Sequence, residues 1–159
     1  MAPALMKRLL VSLAFAFSAS AVFAIELSEE MVNNYVEQGL AKKSNRDVQL
    51  LNPKVSLLDG YATLCSTVRT KIFKRDVEFC ADMTPTWRQE TGSLLATKMT
   101  LVSLNAPGVS EKDIELVKMI VNQVILPRLE GVEIYKADSF IGKQISSLTV
   151  LPGELDLSL

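Results

Sequence analysis

Two consecutive segments of the chain, 61–70 and 75–83, alternate between apolar and polar side chains with the period of two that is typical of β-strands. Each segment carries a cysteine on its more polar face, Cys65 in the first and Cys80 in the second. An antiparallel hairpin that places Cys65 opposite Cys80 also aligns the apolar faces of the two strands. The apolar pairs of this register are Val68 with Val77 and Leu64 with Ala81.

The N-terminus has the pattern of a secretory signal peptide. Lys7 and Arg8 form a short basic region, and the uncharged run 9–23 follows them. Small residues end this run, and we expect cleavage after Ala24, so that residues 1–24 are the signal peptide. The mature protein is then predicted to be a soluble protein of the periplasm.

Two alternatives to this cleavage remain open. Ala19 and Ala21 have the spacing of a second, slightly earlier cleavage site. The uncharged stretch 9–25 also approaches the length of about 20 residues that a membrane anchor needs, although its serines and many alanines favour cleavage. The mature chain, 25–159, has the length of one domain.

Export bears directly on the two cysteines. In an oxidising compartment we expect Cys65 and Cys80 to form a disulfide, and two reduced, half-buried thiols are the alternative. The hairpin turn would lie at 71–74. Closing a loop of this length contributes about 3 kcal/mol to stability in the chain-entropy account of disulfides.

The segments around the hairpin predict a helix and two further strands. Ser28 suits the N-cap of a helix whose apolar stripe ends near 40, and the strand 48–58 contains Pro53, which implies an edge position or a bulge. The fourth strand is predicted at 93–104. Its inner face is expected to carry Leu95, Met99 and Leu101.

A second helix is predicted after Ser110, which is placed to cap it, and it continues until Pro127 bends or ends it. Its apolar stripe is wider than a surface helix normally buries, so we expect this helix to be largely enclosed. A short strand at 132–135, a turn or two of helix at 140–145 and a last strand from Leu148 complete the chain. The last strand is interrupted by a Pro-Gly pair and is therefore expected to be bulged or at an edge.

Three stretches resemble a specific family. They are Leu-Ser-Glu-Glu-Met-Val-Asn at 27–33, Gly-Ser-Leu-Leu-Ala-Thr-Lys-Met at 92–99 and Leu-Thr-Val-Leu-Pro-Gly-Glu-Leu at 148–155. Together with the order of the elements, they resemble the bacterial envelope family of unknown function that is typified by the YceB lipoprotein. The resemblance covers the mature chain from residue 27 onwards.

This resemblance implies an α+β fold in which a curved antiparallel sheet of four to five strands wraps around a long C-terminal helix, with an additional N-terminal helix. That arrangement is similar to the tubular lipid-binding (TULIP) proteins and would enclose an apolar groove. A lipoprotein needs a cysteine just after the apolar region of its signal, and this chain has none there. Lipid anchoring is therefore not implied.

The composition disfavours several classes of function. The chain has no histidine, which excludes Ser-His-Asp and Cys-His catalysis, and its two cysteines are too few for an all-thiolate zinc site. The glycines form no phosphate-binding loop, and the mature chain has 15 basic and 18 acidic residues without the basic stripe of a nucleic-acid binder. We therefore predict no enzyme activity, no cofactor and no metal site.

We predict that the protein binds a lipid or another elongated hydrophobic molecule in a groove between the sheet and the long helix. Each residue predicted to line that groove would also serve as a plain core residue. The alternative functions are a protein-interaction module and a structural protein of the cell envelope. The predicted lining residues are Val36, Leu64, Val68, Phe79, Met99, Leu101, Val117, Val121 and Val124.

Overall fold

The computed structural model describes residues 24–73 and 75–159. The predicted signal peptide, apart from Ala24, lies outside these residues. The described elements are β1 (Ala24–Ser28), α1 (Glu29–Lys43), β2 (Val48–Leu57), β3 (Ala62–Thr70), β4 (Val77–Arg88), β5 (Ser93–Asn105), α2 (Glu111–Ile120), a π-helical turn (Val121–Ile125), α3 (Leu126–Leu129), β6 (Glu133–Lys136), α4 (Ser139–Gly142), β7 (Ser147–Leu151) and β8 (Glu154–Ser158).

The larger sheet is antiparallel, has the strand order β2-β3-β4-β5-β6 and curves strongly into a half-barrel. The strands predicted at 48–58, 61–70, 75–83 and 93–104 correspond to β2 to β5, and β6 adds a fifth strand. Pro53 lies in the edge strand β2, where the register with β3 shifts between Leu51 and Lys54, so this strand has both features that the proline implied.

The central hairpin has the predicted register. Cys65 lies opposite Cys80 and the two sulfur atoms form a disulfide. Val68 pairs with Val77 on the inner face, where both side chains are fully buried. The cysteines are only half-buried on the outer face.

Helix α1 joins the two edges of the half-barrel. Ser28 caps it as predicted, because its hydroxyl accepts a hydrogen bond from the Met31 amide. At one edge, the Asn33 side chain donates to the Val55 carbonyl at 2.8 Å and accepts from the Val55 amide. At the other edge, the Tyr35 hydroxyl donates to the Glu133 carboxylate. The helix therefore bridges β2 and β6, with its apolar side facing the core.

A second sheet has the order β1-β8-β7. β1 begins at Ala24, so cleavage after that residue would remove only the Ala24–Ser158 pair and leave the rest of the β1–β8 ladder. The Pro-Gly pair forms the turn of a hairpin between β7 and β8, with Gly153 at φ 80°. The prediction of a single strand there was wrong, because the Gly with positive φ closes a tight hairpin, whereas the predicted edge position holds for β7.

The prediction for the inner face of β5 was wrong at Leu95. Leu94 and Ala96 belong to the core cluster, whereas Leu95 is buried outside it. The register with β4 then shifts by one residue beside Lys98, which has φ 53°, and this bulge turns Met99 and Leu101 towards the core. Alternation along the strand is therefore broken once between Leu95 and Met99.

The C-terminal helix is the continuous helical run 111–129, made of α2, the π-helical turn and α3. The prediction that it is largely enclosed was wrong. Its buried side chains form a single stripe, while Leu116, Met119 and Val124 remain 50%, 46% and 40% exposed. The confirmed part of the fold prediction is therefore an α+β fold with a strongly curved antiparallel sheet, an N-terminal helix and a C-terminal helix. The buried residues of the C-terminal helix are Val117, Val121, Ile125, Leu126 and Leu129.

Candidate functional site

The nine predicted groove residues fall into three groups. Six are buried in the core cluster, and one of them, Val117, also borders a groove. Met99 and Leu101 are half-buried against that cluster, and Val124 is exposed. The six buried residues are Val36, Leu64, Val68, Phe79, Val117 and Val121.

A groove lies on one side of the C-terminal helix, between α2 and the loop that joins β3 to β4. We call it the hairpin groove, and its volume is about 360 Å³. Loop residues form one wall, and apolar side chains of α2 form the other. Its lining residues are Ile72, Phe73, Arg75, Gly108, Val109, Ser110, Asp113, Leu116, Val117 and Ile120.

A second groove, the β5 groove, lies along the opposite side of the same helix. It is lined by residues 99–104 of β5 together with Lys118 and Asn122, and its volume is about 680 Å³. It continues past Met99 and Asn122 into a depression of about 320 Å³ beside Leu126 and Pro127. Met99 and Leu101, which the sequence placed in a groove, therefore line this one.

The C-terminal helix is fastened to the sheet mainly at its second half. Its contacts with β5 are concentrated in the π-helical turn and α3. The Glu130 carboxylate accepts hydrogen bonds from the Lys98 amide at 2.8 Å and the Met99 amide at 3.2 Å. These two hydrogen bonds give the backbone amides of the β5 bulge an acceptor. Helix α2 therefore precedes the part of the helix that is bound to β5, and a groove lies on each side of it.

The start of α2 is shaped by two local features. Ser110 is the N-cap, since its hydroxyl accepts from the Asp113 amide and also donates to the Asp113 carboxylate. Gly108 has φ 76°, and the Arg75 guanidinium lies directly against the position where a Cβ would stand. Any other residue at 108 would therefore be strained and would displace Arg75.

The basic residues around the hairpin groove differ in whether they form ion pairs. Arg69 forms a two-point ion pair with Asp76, at 2.8 and 2.9 Å, and this hydrogen bonding lowers the pKa of the Asp76 carboxyl below its ordinary value. Lys71 pairs with Asp47 at 3.1 Å. Arg75 makes no ion pair or side-chain hydrogen bond with the residues that the structure describes.

A polar cluster fastens α1 to β6 on another side of the molecule. Glu133 accepts a hydrogen bond of 2.5 Å from the Tyr35 hydroxyl and one of 2.9 Å from the Ser93 hydroxyl. Burial, and then the neighbouring Glu133 carboxylate, raises the pKa of Tyr35 to about 12. The ring of Tyr35 packs at an angle against Tyr135, with 6.1 Å between centroids. This cluster helps to close the half-barrel, because the hydrogen bond from Tyr35 to Glu133 joins α1 to the edge strand β6.

Residues 24–73 and 75–159 contain no group of three or more carboxylate or thiol side chains placed to bind a metal ion. Among the helices of this part of the chain, none has the length and apolar character to cross a membrane. Trp87 is half-buried and packs against the core cluster.

Sequence reasoning missed the loop side of the hairpin groove, because loops have no hydrophobic period to interpret. One signal was available: Ile72 and Phe73 are large apolar residues in a turn that also contains Lys71 and Arg75. Searches against protein-family models and against curated proteins find no match to this chain, so its resemblance to the YceB-type family stays a prediction.

Proposed function

We propose that the protein binds an elongated apolar molecule, such as a lipid chain, along the sides of its C-terminal helix, without catalysing a reaction. One observation carries the proposal. Helix α2 leaves Leu116 half exposed, and Leu116 lines the hairpin groove together with Val117 and Ile120. Apolar surface that lines a concave site is the usual feature of a ligand-binding pocket.

The dimensions and attachment of the helix support this proposal. The two grooves, at about 360 and 680 Å³, lie within the range of about 300–1,000 Å³ that is usual for ligand pockets. The helix is fastened mainly at its second half, where Val121 and Ile125 are buried, whereas Val117 is the buried residue of α2. The proposed ligand lies beside the helix rather than among the buried core side chains.

Native mass spectrometry of protein purified from a bacterial envelope tests this proposal. We expect a lipid bound in stoichiometric amount to the wild-type protein and in smaller amount to Leu116→Gln. Met31→Gln is the matched control, because Met31 is also 50% exposed on a helix but lies away from both grooves. Protein that carries no lipid, or equal lipid on both variants, would contradict the proposal.

A second candidate function is docking of an envelope protein on the same exposed face. The observation that favours it is the row formed by Leu116, Met119 and Val124, which lie on the open side of one helix. Crosslinking from position 119 in cell envelopes distinguishes the two. A single protein adduct, lost in Leu116→Gln, supports docking, whereas adducts with lipid support the first proposal.

A further inference from the structure

We infer that the hairpin groove selects amphiphiles whose headgroup carries a single negative charge, with Arg75 holding that charge at the rim. This inference rests on the proposed function and adds the chemical class of the ligand. It depends on two structural elements. One is the apolar floor between the loop and α2, and the other is Arg75 beside that floor, which forms no ion pair with any described residue.

The floor of the groove is continuous and apolar. Val117 is buried, Phe73, Val109 and Ile120 are half-buried, and together they line the space between the loop and the helix. Ile72 extends this surface outward and is 67% exposed. An aliphatic chain placed here would bury apolar area on both partners, at about 25 cal/mol per Å² removed from water.

Arg75 is held at the rim by packing rather than by an ion pair. Its guanidinium lies against Gly108, where the absence of a side chain makes room for it. The acidic neighbour, Asp76, is already bonded to Arg69 at two points. The residues outside the described ranges include no aspartate or glutamate that might neutralise Arg75. An arginine in this position can bind a carboxylate or phosphate oxygen pair through two N–H groups.

Asp113 is the acidic residue of the lining, and it limits the charge of the ligand. Its carboxylate accepts the Ser110 hydroxyl at 2.9 Å and lies in the first helical turn, where the helix dipole favours an anion. It is not within ion-pair distance of Arg75. A dianionic headgroup would be repelled by Asp113, so the groove fits a monoanion such as the carboxylate of a fatty acid.

Isothermal titration with dodecanoate and with its uncharged glyceryl ester, both below their micellar concentrations, tests the inference. We expect the wild-type protein to bind dodecanoate about tenfold more tightly than the ester, which corresponds to about 1.4 kcal/mol. Arg75→Gln should lose this preference and keep its affinity for the ester. Arg75→Lys should keep most of the preference, because the charge remains.

Arg46→Gln is the matched control, since Arg46 is exposed and has no ion pair with the described residues. It should bind both probes like the wild type. Equal affinity of the wild-type protein for dodecanoate and ester would overturn the headgroup inference and leave the proposed function standing. Binding of neither probe would overturn both.

Discussion

Cys65 and Cys80 occupy the outer face of the central hairpin, while Val68 and Val77 on the inner face are fully buried. A shift of one residue in this register would bring polar side chains into the core. The disulfide and the apolar pairs therefore reinforce the same pairing, and the bond closes a loop with a sequence separation of 15.

Replacing both cysteines, as Cys65→Ser with Cys80→Ser, should lower the free energy of unfolding by about 3 kcal/mol, because the unfolded chain regains the freedom of the open loop. Urea unfolding followed by circular dichroism measures this. A reducing agent should destabilise the wild-type protein by a similar amount and leave the double variant unchanged. If reduction does not change wild-type stability, the bond does not stabilise the hairpin as described.

Tyr35 makes stability depend on pH in the alkaline range. Its pKa is raised to about 12 in the folded protein, against about 10 in an unfolded chain. The protonated hydroxyl therefore stabilises the fold fully below pH 10, and this contribution is lost as the pH rises from about 10 to 12. An absorbance titration of tyrosine ionisation should show a component near pH 12 that is absent from Tyr35→Phe. A wild-type titration without that component would contradict the Tyr35–Glu133 contact.

At the scale of elements, the alternation of apolar and polar residues predicts which side chains face the core in the hairpin, but not in β5. The period of two correctly predicted the hairpin, because residues 62–68 and 77–83 pair without a bulge. In β5 the register shifts twice, and Lys98 adopts φ 53° while the Glu130 carboxylate binds its amide. A bulge depends on a partner distant in the sequence, so the pattern within the strand could not reveal it.

The C-terminal helix offers a test of which of its sides is packed. Val121 is fully buried and Val124, three residues later, is 40% exposed. Val121→Trp should overpack the core and lower the free energy of unfolding by about 1–3 kcal/mol or more, whereas Val124→Trp should leave it nearly unchanged. Chemical unfolding of the two variants gives the comparison. Equal stability would mean that the sheet and the helix enclose open space at Val121.

At the scale of the whole molecule, α1 completes the half-barrel by bonding to both edge strands through Asn33 and Tyr35. The predicted elements and the curved sheet could be inferred from capping residues, alternation and family resemblance. The closure could not, because it depends on side-chain contacts between residues up to 98 positions apart. The sequence placed the ligand in a groove between the sheet and the long helix, and six of its nine predicted lining residues are buried in the core cluster.

The candidate site was only partly predictable. Met99 and Leu101 were predicted as groove residues from their place in the fourth strand, and both line the β5 groove. The wall formed by Ile72, Phe73 and Arg75 lies in a loop, whose position beside α2 follows from the fold of the whole chain. Loops carry much of the binding function of proteins, and their conformation is the hardest part to infer from one sequence.

Methyl NMR spectra recorded during a titration with dodecanoate test the central claim most directly. We predict that the perturbed signals will belong to Ile72, Val109 and Leu116 in the hairpin groove and to Leu101 and Leu104 in the β5 groove. Methyl groups of the filled core, such as Val36 and Val68, should change little. Saturable shifts confined to the two grooves would support ligand binding beside the helix, and shifts spread through the core, or none at all, would contradict it.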